Sequence, residues 1–309
     1  MSKLEIGLYD VLDAGAMAEF PVAADVYDEH IRMVQEAEQM GYKYYFSIEH
    51  QTSSLSYLSA PNIYLTALAR ATSTIRFGVM IYQLPFHNPI RLAQDAAMLD
   101  HLSRGRLEFG AGTGVSPHEF LRWNVPFERR RDISEEVLEI VIKAWTEKSV
   151  THDGEFYQLV EVLTTPKPFQ TPHPPIWFGA HSAASFEYAA RMNFNVSQNI
   201  DTDPVVAEKF ATWRRLWGDC GHEGSRPRAF LTRHVHVAET DEQARAEAEP
   251  HLLTPRPPEP VFHEAGRTAI AKRDGDGAGE RFAPEAGTPE RLELRRVFSE
   301  RTKSYDFWI

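Results

Sequence analysis

Short apolar runs alternate with longer segments of helical periodicity along most of the chain. Residues 4–11, 42–48, 75–84, 107–111, 176–178, 194–200 and 229–238 read as strands bounded by turn residues. Between and after them, residues 24–40, 61–72, 89–102, 133–146, 183–192, 204–218 and 241–253 read as helices. Val137, Leu138, Val141, Ile142 and Trp145 fall at core spacing. Pro61 and Pro89 sit at helix starts, and Gly41 and Gly105 follow helix ends.

Strand–helix alternation of this kind implies parallel strands joined by right-handed crossovers. A closed barrel and a doubly wound open sheet both satisfy it. The barrel is favoured, because polar and Gly-rich segments follow nearly every strand, where a barrel places its active site. The expected fold is therefore an α/β TIM (β/α)8-type barrel, a single domain over residues 1–309, lacking its last strand and helix. Strands one and seven would each present an unpaired edge. C-terminal residues cover that edge, a second subunit pairs with it, or the chain is a fragment of a longer protein; the fragment reading is preferred. Asp153-Gly154 marks a hairpin turn inside a small antiparallel insertion at 147–173. Residues 254–287, rich in Pro, Gly and charge, read as a lid-like or disordered insertion, and 288–309 as mostly helical.

Composition narrows the class. A chain of 309 residues with 42% hydrophobic and 25% charged residues is globular in type. Nothing approaches a run of about 18 apolar residues, so no membrane span is expected. The N-terminus enters a strand pattern without a signal-peptide signature, and a single cysteine, Cys220, leaves no internal disulfide; a cytoplasmic location is expected. The net charge of -11 argues against nucleic acid or an anionic membrane as partner.

The most informative stretch is Pro-Pro-Ile-Trp-Phe-Gly-Ala-His-Ser-Ala-Ala-Ser at 174–185. A strand ends, Gly179 turns the backbone, and Ser182 stands where a helix N-cap belongs. Free N–H groups and the helix dipole there suit a phosphate, with the Ser182 and Ser185 hydroxyls as further donors. An ordinary N-cap is the plainer reading. Gly110-x-Gly112-x-Gly114 lacks the spacing of a dinucleotide fingerprint. His234 and His236 fall on one face of the seventh strand and read as structural histidines; no metal site is expected. Arg129, Arg130 and Arg131 precede Glu135 and Glu136 and read as a solvated, internally paired surface.

Taken together, these segments resemble the bacterial luciferase-like family of flavin-dependent enzymes. The resemblance is carried by Ser47-Ile48-Glu49-His50, by Leu84-Pro85-Phe86-His87-Asn88-Pro89-Ile90-Arg91, and by Asp100-His101-Leu102-Ser103-Arg104-Gly105-Arg106. Phe109-Gly110-Ala111-Gly112-Thr113-Gly114, His118-Glu119-Phe120 and the Gly-Ala-x-Ser turn follow in order. The resemblance implies a TIM barrel binding reduced FMN, or in one branch a reduced deazaflavin coenzyme. It implies a small organic substrate, O2, a separate flavin reductase and a homodimer, to which Ile63, Tyr64, Leu68 and Met98 would contribute. His50 matches the family's catalytic histidine, while Gln51 replaces the second histidine of the light-emitting enzymes. A cis peptide is implied at Met80–Ile81 beneath the flavin ring, with Tyr82 and Gln83 lining the flavin face. Ser182, Ser185, the His181 backbone and Gly112, Thr113, Gly114 and Val115 would hold the cofactor. Thr113 stands where luciferase has a phosphate-gripping arginine. A flavin-dependent monooxygenase is expected; a deazaflavin-dependent hydride-transfer enzyme and a non-catalytic flavin-binding or partner subunit are the alternatives.

Overall fold

The computed structural model describes residues 4–52, 56–199, 201–224 and 227–252. The insertion expected at 254–287 and the helix expected over 288–309 lie outside the described residues. Contacts divide the chain into two units, Met1–Gln198 with Val206–Leu231, and Asn199–Val205 with Thr232–Ile309.

In the first unit seven parallel strands form one sheet, in the order β1-β2-β3-β4-β7-β8-β9. They are β1 (Gly7–Asp10), β2 (Tyr44–Ser47), β3 (Arg76–Gln83), β4 (Leu107–Gly112), β7 (Ile176–Gly179), β8 (Asn195–Gln198) and β9 (Ala229–Leu231). The chief crossover helices are α2 (Ala23–Gln39), α3 (Pro61–Ala71), α4 (Pro89–Ser103), α6 (Arg130–Thr146), α7 (Ala183–Arg191) and α8 (Asp203–Asp219). The expected insertion is an antiparallel pair, β5 (Val150–Asp153) with β6 (Gln158–Val162). Two short helices escaped the periodicity, α1 (Ala14–Ala18) and α5 (Pro117–Arg122). Neither is long enough to show a repeat.

Local chemistry sets the helix ends. Asn88 caps α4 by accepting from the amides of Ile90 and Arg91, with Pro89 in the first turn. Arg104 (φ 57) and Gly105 (φ 82) end it in the left-handed region.

Two cores lie on opposite faces of the sheet. The larger one joins Tyr45, Phe77, Val79 and Phe109 to the helices, including Val137, Leu138 and Val141 of α6. The smaller one lies inside the curl: Tyr44, Phe46, Met80 and Trp177, with Tyr9, Ile81 and Phe230 packed against them. Phe230 of β9 lies 5.0 Å from Phe46 and 6.3 Å from Tyr9 of β1, ring centre to ring centre. Strands at opposite ends of the sheet order thus meet through their side chains, and the sheet curls as a half-barrel. Among the described residues no strand joins β9 to β1. Glu108 is fully buried here, ion-paired with Arg76 and Arg228 and accepting from Trp177 Nε1 at 2.6 Å.

Three expectations are corrected. The seventh strand stops at Leu231, so His234 and His236 lie beyond it; the apolar positions that extended it, Val235 and Val237, are exposed. His236 pairs instead with Glu247 of α9 (Asp241–Leu252) at 2.8 Å, within the second unit. Tyr64 and Leu68 are buried against the sheet and are not available to a partner, whereas Ile63 and Met98 are exposed. Tyr82, expected beside a flavin, faces the helix side. Val79 pairs with Phe109 but Tyr82 with Ala111, so β3 carries one extra residue. Met80 and Ile81 both turn inward as a result, and Tyr82 returns to the outer core, stacked on Phe109 with its hydroxyl on Asn62.

Candidate active site

The Gly- and His-containing segments gather at the C-terminal ends of β2, β3, β4 and β7, as an α/β barrel requires. The Met80–Ile81 peptide is cis. Tyr9 donates to the Met80 carbonyl at 3.1 Å, and burial pushes its phenol well up, which keeps that donor protonated. Ile81 lies over a gap made by two glycines. A Cβ at Gly112 would stand 2.7 Å from Ile81 Cδ1, and one at Gly179 3.3 Å from Ile81 Cγ2. Gly114 has φ +72 and carries no room for a side chain, with Gln83 and the Phe120 ring against it.

Next to this floor lies a cavity of about 540 Å3. Thr113, Gly114 and Val115 line it from the loop after β4, Gly179, His181, Ser182 and Ser185 from the end of β7 and the start of α7, and Arg130 and Arg131 from the start of α6. The predicted phosphate residues are therefore brought together. Their donors are arranged differently from the expectation. Ser182 and Ser185 form a reciprocal capping box, and Ser185 Oγ also accepts the His181 amide at 3.1 Å. The helix end thereby satisfies itself, leaving the amides of Ala183 and Ala184 in the first turn, where no intrahelical carbonyl can reach.

The arginine run divides in the way its neighbours dictate. Arg129 pairs with Asp132 at 2.8 Å and with Glu155 at 2.6 Å on the surface. Arg131 lines the cavity and has no partner among the described residues. It offers a cation where Thr113 does not. A larger cavity, about 650 Å3, lies between α6 and the hairpin. Its chief carboxylate, Glu136, already accepts the amides of Glu155, Phe156 and Tyr157. That role is structural.

His50 follows β2 and is partly exposed. Its Nδ1 faces Glu119 of α5 at 3.2 Å, and Glu119 is fully buried. The next residue, Phe120, is also buried, its ring centre 4.6 Å from the tilted ring of Phe86 and 5.2 Å from Phe127, edge to face. A second pair stands beside it: Glu49, also buried, and His87, 3.0 Å apart. Burial works against a charged His87, but the Glu49 carboxylate outweighs it and raises the imidazole above its ordinary value. Sequence reasoning quoted Glu49, His87 and Glu119 within motifs but gave them no role. Tyr9 was missed, and Arg131, read as part of an internally paired surface, lines the cavity instead. Nothing local marks such residues, since His50 and Glu119 are 69 positions apart.

These features can be set beside known proteins. The family model for luciferase-like monooxygenases matches residues 8–297. The oxygenase component of the flavin-dependent trigonelline monooxygenase of Acinetobacter baylyi is 30% identical over 226 residues, 72% of this chain and 62% of that protein. The chain thus spans about three fifths of that relative's length. A solved structure of the oxygenating constituent of 3,6-diketocamphane monooxygenase from Pseudomonas putida, in complex with FMN, has a TM-score of 0.70 at 20% identity, covering 94% of this chain and 79% of that one. An F420-dependent secondary alcohol dehydrogenase, in complex with an F420-acetone adduct, has a TM-score of 0.65 at 18% identity, covering 81% of this chain and 75% of that one. At such identities the two structures speak for the fold, the half-barrel sheet described above. With the family model spanning nearly all of the described strands and helices, the chain belongs to the luciferase-like monooxygenases.

Proposed function

We propose that this chain is the oxygenase component of a two-component flavin monooxygenase, using reduced FMN and O2 on a small organic substrate. The carrying observation is the cavity at the mouth of the half-barrel, where Ser182, Ser185, Thr113, Gly114 and Arg131 converge next to the Ile81 floor. The residues present fit a flavin phosphate: first-turn amides of α7, serine hydroxyls that would turn from their capping bonds, and the Arg131 guanidinium, unpaired among the described residues, border one cavity. Reduced flavin, when bound, supplies the electrons that activate oxygen. The chain's own residues do the rest. Ser182, Ser185 and Arg131 hold the phosphate, Met80 and Ile81 support the ring, and His50 holds or moves a proton at its imidazole. Phe120 of α5, packed against Phe86 and Phe127, keeps water from the buried carboxylate behind His50.

A separate reductase would supply the reduced flavin, in keeping with the word "component" in the name of the trigonelline relative. Ile63 and Met98, both exposed, are the positions we assign to a homodimer contact.

Anaerobic titration tests the cofactor, with reduced FMN, oxidised FMN, riboflavin and a reduced deazaflavin coenzyme in parallel. Tightest binding of reduced FMN, followed by oxygen uptake on mixing, is expected. Preference for the deazaflavin would move the reaction to hydride transfer, and binding with no reaction would point to a flavin-binding subunit without catalysis.

A further inference from the structure

Two buried carboxylates sit side by side behind His50, and two glutamines bridge them. Gln51 donates its backbone N–H to Glu119 and its side-chain amide to Glu49 at 2.6 Å. Gln83 does the reverse: its backbone N–H goes to Glu49 at 2.8 Å and its side-chain amide to Glu119 at 3.4 Å. With both amide nitrogens so engaged, the Gln83 oxygen is left buried and without a partner. That orphan fixes the orientation of the network. A flipped amide would turn the oxygen onto a carboxylate.

Glu119 accepts from two fixed donors, Gln51 N–H and Gln83 Nε2, and His50 Nδ1 stands 3.2 Å from each of its carboxylate oxygens. Acting as acceptor toward both amides, Glu119 presents His50 with acceptor oxygens. The histidine must then carry its proton on Nδ1 when neutral. Its Nε2 has no partner among the described residues.

We propose that Glu119 is the positioning residue of His50: it fixes the Nδ1–H tautomer and leaves Nε2 as the basic atom of the site. The proposal rests on the monooxygenase reading only for what Nε2 acts upon. A proton taken from substrate or cofactor at Nε2 forms the imidazolium, whose charge Glu119 offsets, and the same proton leaves from Nε2 when it is returned. The Glu49–His87 pair holds the two glutamines and so keeps Glu119 in place.

Nitrogen-15 NMR of the full chain, labelled at histidine, reads the tautomer directly, with His50→Gln assigning the resonance. Native His50 is expected as the Nδ1–H tautomer. In Glu119→Gln, whose amide can donate as well as accept, the Nε2–H form should appear; Glu119→Asp should restore the native signature. Turnover with reduced FMN should fall about 100-fold in kcat in Glu119→Gln with KM nearly unchanged, and recover in part in Glu119→Asp. A native Nε2–H tautomer overturns the proposal without any variant, even if Glu119→Gln fails to fold. An unchanged tautomer in Glu119→Gln and Glu119→Ala overturns it equally. Because the spectrum needs no cofactor, failure of the monooxygenase reading would leave this test intact.

Discussion

Ser182 serves one helix end in two ways. As an N-cap it accepts the Ser185 amide at 3.2 Å, and it also borders the cavity assigned to a phosphate. Ser182→Ala should cost about 0.5–2 kcal/mol in urea unfolding. It should also weaken FMN more than riboflavin, which lacks the phosphate. Arg131→Ala separates the two effects: it touches no cap, so it should lower FMN affinity roughly tenfold, leave riboflavin alone and leave stability within about 0.5 kcal/mol. Equal losses for both flavins would remove Arg131 from the phosphate site. The serine cap was legible in the sequence because its partners lie within one helical turn. Arg131 was not, since three adjacent arginines look alike until the fold gives one of them Asp132 and Glu155 and leaves another facing a cavity.

At the scale of elements, the seven strands and the long helices between them were readable from alternation alone, the short α1 and α5 excepted. The extra residue in β3 was not, because Met80 and Ile81 look like any two members of an apolar strand. That single insertion turned Tyr82 away from the site and put Ile81 over Gly112 and Gly179. Gly112→Ala would bring a Cβ to 2.7 Å from Ile81 Cδ1 and 2.9 Å from its Cγ1, so it should displace this stiff β-branched side chain and weaken flavin binding together with a moderate loss of Tm. A large loss of Tm with unchanged flavin affinity would contradict this. The end of β1 carries a pH-dependent tie. His30 of α2 lies 2.7 Å from Asp10, and that hydrogen bond raises the imidazole above its ordinary value. A raised imidazole stabilises the fold fully below the unfolded value and loses that contribution as pH climbs through the folded one. Urea unfolding at about pH 6 and about pH 8.5 should show a drop in the native chain that is smaller in His30→Gln; parallel drops would assign the slope elsewhere.

At the scale of the first unit, the half-barrel depends on what fills its inside. Periodicity showed which strand faces meet helices, but no one-dimensional pattern shows that Phe230 reaches Tyr9 and Phe46 across the curl. Nor does it show that Glu108 is the hub for Arg76, Arg228 and Trp177. Glu108→Ala leaves two arginines, 30% and 39% exposed, without their carboxylate and should destabilise by about 1–3 kcal/mol, whereas simultaneous apolar replacement of all three charges should cost less. Chemical denaturation of both variants would decide, and equal losses would mean that cavity formation dominates.

The separation of the two cores bears on how such a protein changes over time. The helix-facing core holds the strands in order, while the small inner cluster of Phe46, Met80, Trp177 and Phe230 makes the inner surface of the curl, with Ile81 packed against it. Replacements within the inner cluster can reshape that surface without disturbing the contacts that keep the sheet assembled. One scaffold can thus be re-tuned for new compounds from within, through a few aromatic and aliphatic positions, while its outer layer stays under unrelated constraints.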